Sequence, residues 1–159
     1  MNRDQNHQPF VALDSFNTEQ ANPTAFAGAT TNARGDQTGT GNPLTLYTVT
    51  GEVLLRIFGV CTVNLASAGG GTLEVGLTGN TAALIAQTTA TDIDANDIWK
   101  DASPEVGTDT LANLPGPFVV VNGLDIIETT GTADITSGNV RYVCLWRPLS
   151  TDGNVVSAV

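Results

Sequence analysis

The chain has 159 residues, 41% of them hydrophobic, 14% charged and 6% aromatic, with a formal net charge of −10. That length and apolar share support one domain with a real core and exclude a wholly disordered chain. Only six Lys and Arg residues are present, so there is no basic patch for nucleic-acid phosphates or an anionic membrane surface, and neither is an expected partner.

Residues 1–43 are rich in Asn, Gln, Thr and Gly, with Phe10, Val11, Leu13, Phe16 and Phe26 spaced along them. The apolar density is too low for an independent core. The expectation is an extended N-terminal arm whose isolated aromatics Phe10, Phe16 and Phe26 anchor it on a partner. The start, Met1 to Asn6, is polar and unlike a signal peptide. Gly35, Gly39, Gly41 and Pro43 read as a hinge. Arg34-Gly35-Asp36 within it matches an integrin-type tripeptide, a pattern short enough to arise by chance.

Residues 44–159 read as the β domain. Leu44 to Thr50 alternates as a half-buried strand does, and the apolar run from Val53 to Val63 suits a strand buried on both faces. Gly59 is a candidate kink in that run. Ala68-Gly69-Gly70-Gly71 reads as a hairpin turn between Val60–Leu65 and Thr72–Leu77; no Gly-Lys-Ser/Thr follows, so it is not a phosphate loop. Ala82 to Thr88 fits a strand or a short helical turn.

Thr91 to Asp109 holds Asp92, Asp94, Asp97, Asp101, Glu105 and Asp109 against Lys100. From Asp92 it resembles a calcium loop, but Asp97 stands where Gly belongs and Ser103 where Glu belongs. The expectation is a long connection with wet carboxylates, tucked against the sheet by Ile93, Ile98 and Trp99. Trp99 is also a candidate partner contact, because tryptophan is enriched at interface hot spots.

Phe118 to Val121, an Asn122-Gly123 turn signal and Leu124 to Thr129 read as a hairpin. Gly131 and Ser137-Gly138-Asn139 mark further turns. Val140 to Leu149 is the last strong strand, with Arg141, Val143, Leu145 and Arg147 on one face and Val140, Tyr142, Cys144 and Trp146 on the other. Residues 150–159 read as a turn-like tail. About eight strands at this spacing predict an all-β chain, a jelly-roll-like antiparallel β-sandwich.

No catalytic set is apparent. His7 is the only histidine and lies in the polar arm, so a Ser-His-Asp arrangement or a metal site with two imidazoles has little to draw on. Glu52, Glu74, Asp125 and Glu128 lie in or beside strands, where a paired-carboxylate hydrolase would hold them, but strand-edge acids more often guard against edge pairing. Cys61 and Cys144 are expected to be buried thiols. No enzyme activity, metal or cofactor is expected.

The strings GEVLLRIFGVCTVNLASAGGGTLEVGLTGNTAALIAQTTATDIDANDIW and VRYVCLWRPLSTDGNV, within residues 44–156, resemble small capsid auxiliary proteins of tailed bacteriophages, the decoration or cement proteins. The resemblance implies a virion structural protein, made in the host cytoplasm, often trimeric, that binds the outside of the major capsid protein shell and stabilises it. No shared site residues come with it. The alternatives are another virion component of tail, neck or fibre, or a receptor- or carbohydrate-binding sandwich using Trp99 and the acidic segment.

Overall fold

A computed structural model describes residues 16–121 and 123–159. Eleven strands lie in two antiparallel sheets. They are β1 (Asn17–Ala21), β2 (Leu44–Thr50), β3 (Val53–Ala66), β4 (Thr72–Leu77), β5 (Asn80–Thr89), β6 (Asp97–Trp99), β7 (Glu105–Val106), β8 (Phe118–Val120), β9 (Ile126–Gly131), β10 (Ser137–Pro148) and β11 (Asn154–Ser157). Sheet I has the order β1-β10-β3-β6-β7, with β8 also on β3; sheet II has the order β11-β2-β9-β4-β5. The expected antiparallel β-sandwich is what the structure shows. Among the described residues the only helical piece is a 3₁₀ turn at Ala90–Asp92.

Sheet I is centred on β3 and β10, which pair from Ala66↔Ser137 to Val53↔Pro148. Their alternation is a direct reading of residue type. Val53, Leu55, Ile57 and Cys61 of β3, and Val140, Tyr142 and Cys144 of β10, enter the core. Sheet II supplies Leu46, Tyr47, Val49, Leu73, Val75, Leu84, Ile85 and Ile126 from the opposite side. A register shift between Thr45 and Tyr47 explains why Leu46 and Tyr47 are both fully buried, although simple alternation puts them on opposite faces.

Gly59 does not kink β3. A Cβ there would stand 2.8 Å from Val140 Cγ1 and 3.2 Å from Trp99 Cε3. The missing side chain is the space into which the Trp99 ring packs.

Two expected hairpins are instead crossovers. β4 pairs with β5 and β9, not β3, so 67–71 carries the chain from sheet I to sheet II. The end of β3 next to this turn has no free edge for it, because β10 lines one side and residues 93–96 the other, where the Leu65 amide donates to the Ile93 carbonyl and the Asn96 amide to that of Cys61. Likewise β8 lies in sheet I and β9 in sheet II. The supposed tail contains β11, which extends sheet II beside β2.

The arm boundary at residue 43 is also corrected. β1 is the outer strand of sheet I, paired with β10 from Asn17↔Trp146 to Ala21↔Tyr142. Residues 22–43 fold over the end of the sandwich. The Phe26 and Gly28 amides donate to the Gly138 and Ile135 carbonyls at 2.9 Å, and the Ile135 amide donates back to Gly35. Gly35 sits at φ +94°, and a Cβ on it would lie 2.3 Å from the Ile135 carbonyl oxygen, so both backbone sign and clearance require glycine. Asn42 clasps Thr130: its Nδ2 donates to the Thr130 carbonyl and its Oδ1 accepts the Thr130 amide. The glycine-rich stretch is therefore a tethered loop. Sequence composition misses this because the loop is held by backbone and polar contacts and a single buried ring, Phe26, which leave no hydrophobic pattern.

Candidate functional site

The two outward faces of the sandwich differ in chemistry. Sheet II presents mainly polar residues, Thr48, Glu74, Gln87 and Thr129, with one half-exposed apolar residue, Val156, beside Thr48. Sheet I presents Leu54, Arg56, Phe58 and Val60 from β3 beside Arg141, Val143, Leu145 and Arg147 from β10, all partly or fully covered. Residues 109–114 roof part of this face. Arg56 Nη1 donates to the Leu111 carbonyl at 2.9 Å and also to that of Leu114, which pins the roof down. Between the roof and β1 a cavity of about 210 Å³ remains, lined by Phe16, Arg56, Leu111, Ala112 and Leu145. Val119, paired with Leu54, and Leu111 stay 61% and 58% exposed. Arg147 lies over the Phe16 ring at 5.8 Å, a cation–π contact. Neither Arg141 nor Arg147 forms an ion pair among the described residues.

The four predicted contact residues fare differently. Phe16 lies on this face, at the head of β1. Phe26 is 3% exposed and packs in the core, its ring under the Arg34 guanidinium at 3.8 Å. It anchors the loop to its own domain, because β1 and the loop close the end of the sandwich over it. Trp99 is fully buried, tilted against Tyr142 at 6.2 Å, with its Nε1 donating to Thr88 Oγ1 at 2.9 Å. It is a core residue of β6 and has no surface to offer. Phe10 lies outside the described residues.

Arg34-Gly35-Asp36 is not a displayed ligand. Arg34 is 7% exposed; its guanidinium pairs with Glu128 and also reaches the carbonyls of Thr24 and Val140. Burial opposes its charge, but Glu128 and their shared hydrogen bonds raise its proton affinity overall. Tyr142, wholly buried, donates its hydroxyl to Glu128, and burial next to that carboxylate raises the phenol well above its ordinary value. Asp36 accepts the amides of Asn32 and Thr38, which hold its carboxyl below the usual range.

The acidic segment also uses its charges internally. Asp97 accepts the Asp94 amide at 2.8 Å. Lys100, with its side chain 4% exposed, contacts the carboxylates of Asp109 and Glu105. Hydrogen bonds to Asp109 and then Glu105 raise its proton affinity, and Lys100 in turn lowers that of Asp109. Among the described residues no group of three or more His, Cys, Asp or Glu side chains is placed to hold a metal ion. The expectation that these carboxylates stay wet is wrong for Asp97, which is buried, and for Asp109, whose side chain is covered against Lys100; it is right for Asp92 and Asp94.

Cys61 and Cys144 are free and buried. Burial pushes their thiols up to about 11 and about 12 respectively, so neither is an activated nucleophile.

No family model, no characterised protein and no solved structure matches this chain.

Proposed function

We propose that this protein is a virion structural component of the decoration type, binding the outside of a major capsid protein shell and stabilising it. The observation that carries this reading is the outer face of sheet I: apolar side chains of β3, β8 and β10 mixed with Arg141 and Arg147, opposite a mainly polar face on sheet II where Val156 is the one large apolar residue left half exposed. A half-exposed apolar face rimmed with arginine suits a macromolecular contact better than a small substrate. Stabilisation then follows from mass action. A protein that binds the assembled lattice and not its separate subunits shifts the equilibrium toward the lattice. Homotrimer formation belongs to the same reading, as closed symmetry suits such a component.

The test is co-sedimentation of the full chain with intact shells of the phage that carries it. Wild-type protein is expected to pellet with assembled shells, to ignore free subunits, and to raise the temperature at which shells disrupt. Val119→Glu or Leu145→Glu should weaken shell binding at least about tenfold, equivalent to about 1.4 kcal/mol. Thr48→Glu on sheet II should leave it unchanged. Wild-type protein that stays in the supernatant, or that localises to tails in labelled particles, overturns the assignment to the shell.

A further inference from the structure

We propose that Lys100 and Asp109 condense to an internal isopeptide bond, with Glu105 carrying the protons. This inference does not depend on the proposed shell contact.

An ordinary surface ion pair lies in water between mobile side chains. This pair is shielded where it meets: both side chains are only 4% exposed and in direct contact, while the Thr110 and Asn113 donors to Asp109 lie at the surface beside it. The Asp109 carboxylate is further oriented atom by atom. Oδ1 accepts two hydrogen bonds, from the Thr110 amide and from Asn113 Nδ2, each at 2.7 Å. Oδ2 faces Lys100 Nζ. Two donors on one oxygen are the arrangement that stabilises the oxyanion of a tetrahedral intermediate. Oδ2 is then the oxygen positioned to leave. Glu105 Oε2 stands 2.9 Å from the same Nζ, and its side chain is 55% exposed, so it touches both the nucleophile and solvent. Nucleophile, electrophile, oxyanion donors and proton carrier are thus all within one short segment.

The step balances without an added reagent. One proton passes from the Lys100 ammonium to Asp109 Oδ2 along their contact, leaving an amine and a carboxylic acid. Nζ attacks Cγ, and the negative charge collects on Oδ1. Glu105 takes a proton from the attacking nitrogen and returns it to Oδ2. The Cγ–Oδ2 bond breaks, water departs, and the amide remains. The first transfer runs against the direction in which the two groups' proton affinities are displaced, so condensation is slow beside folding. Fixed proximity provides the compensating drive, since oriented intramolecular reactions reach effective molarities on the order of 10⁵–10⁸ M.

The product would tie the end of β6 covalently to the segment that roofs sheet I. The test is the intact mass of the full chain, followed after purification. The expected result is loss of one water. Cleavage after Glu105 should then leave the flanking peptides joined. Lys100→Arg and Asp109→Ala should keep the full mass. Glu105→Gln, which retains both reacting groups, should slow the loss about a hundredfold, the usual scale of general acid–base assistance. An aged wild-type protein with the full mass of its sequence overturns the proposal. So does a water loss that persists in Lys100→Arg.

Discussion

Arg34 and Glu128 meet inside the sandwich as a two-armed pair, Nε 2.8 Å from Oε1 and Nη2 against Oε2, although they stand 94 positions apart in the chain. The contact joins the loop ahead of β2 to β9 in sheet II. Tyr142 and the Val140 carbonyl, both on β10 in sheet I, complete it. One buried polar cluster therefore touches the loop and both sheets. Burying charge of this kind is tolerable only because each oxygen and nitrogen finds a partner.

Removing one member should expose that dependence. Arg34→Met leaves Glu128 buried without its counter-charge, a change that costs about 3–5 kcal/mol for pairs of this sort. Arg34→Met combined with Glu128→Leu removes both charges, and should recover at least half of the loss. Urea unfolding of the wild type, the single variant and the double variant measures both steps. Equal destabilisation of the single and double variants would show that the charge pair is not what matters.

The same cluster decides where the domain begins. A fragment of residues 44–159 lacks β1, the Phe26 ring and the Arg34 guanidinium, leaving one side of β10 unpaired and Glu128 without its counter-charge. It is expected to show no cooperative thermal transition by circular dichroism. A sharp transition close to that of the full chain would restore the boundary at residue 43.

The contrast between what was legible and what was not follows physical lines. β2, β3, β4 and β10 were visible because alternation and β-branched runs report burial directly. Trp99 is legible as packing on the sheet, but its reading as a partner contact rests on residue type, which carries no information about which side of a strand meets solvent. Pairing was less legible. Whether 67–71 turns back or crosses over depends on which edge of β3 is vacant beside it, a property of β10 and of residues 93–96 far along the chain. Phe26 and Arg34 were hidden for a different reason: a loop held by one ring and one guanidinium has the composition of a free tail. The outer face of sheet I is half legible, since alternation alone puts Arg141, Val143, Leu145 and Arg147 on one side of β10, while their neighbours on β3 depend on the register.

Gly59 and Trp99 offer a packing test. Gly59→Ala places a methyl against Val140 and the indole, and overpacking of this kind costs about 1–3 kcal/mol. Trp99→Phe removes the ring edge at that point but opens space elsewhere. The double variant should be more stable than the sum of the single changes predicts, by at least about 0.5 kcal/mol. Strict additivity in a denaturant double-mutant cycle would contradict the contact.

The cysteines should be silent in the native state. Both thiols are buried and raised far above neutral pH, so at pH 8 an aromatic disulfide reagent should label neither on the timescale of minutes. In denaturant both should react at once. Prompt native labelling of either residue would place it at the surface or in an open state.

Asp36 gives the fold an acid-side limit. Its carboxylate accepts the amides of Asn32 and Thr38, at 2.8 and 3.0 Å, and these hold its folded value below the ordinary range, the Asn32 amide most strongly. The folded carboxyl thus binds its proton more weakly than the unfolded one. On acidification the unfolded chain takes up the proton first, and stability falls. The contribution is fully present above the ordinary aspartate value of about 3.9 and is lost as pH drops through the lower folded value. Asp36→Asn cannot titrate, so its stability deficit should be largest near neutrality and should narrow below about pH 4. Urea midpoints of both proteins between neutral pH and pH 2 provide the measurement. A deficit that stays constant across that range would mean that Asp36 shapes the loop by its form and not by its charge.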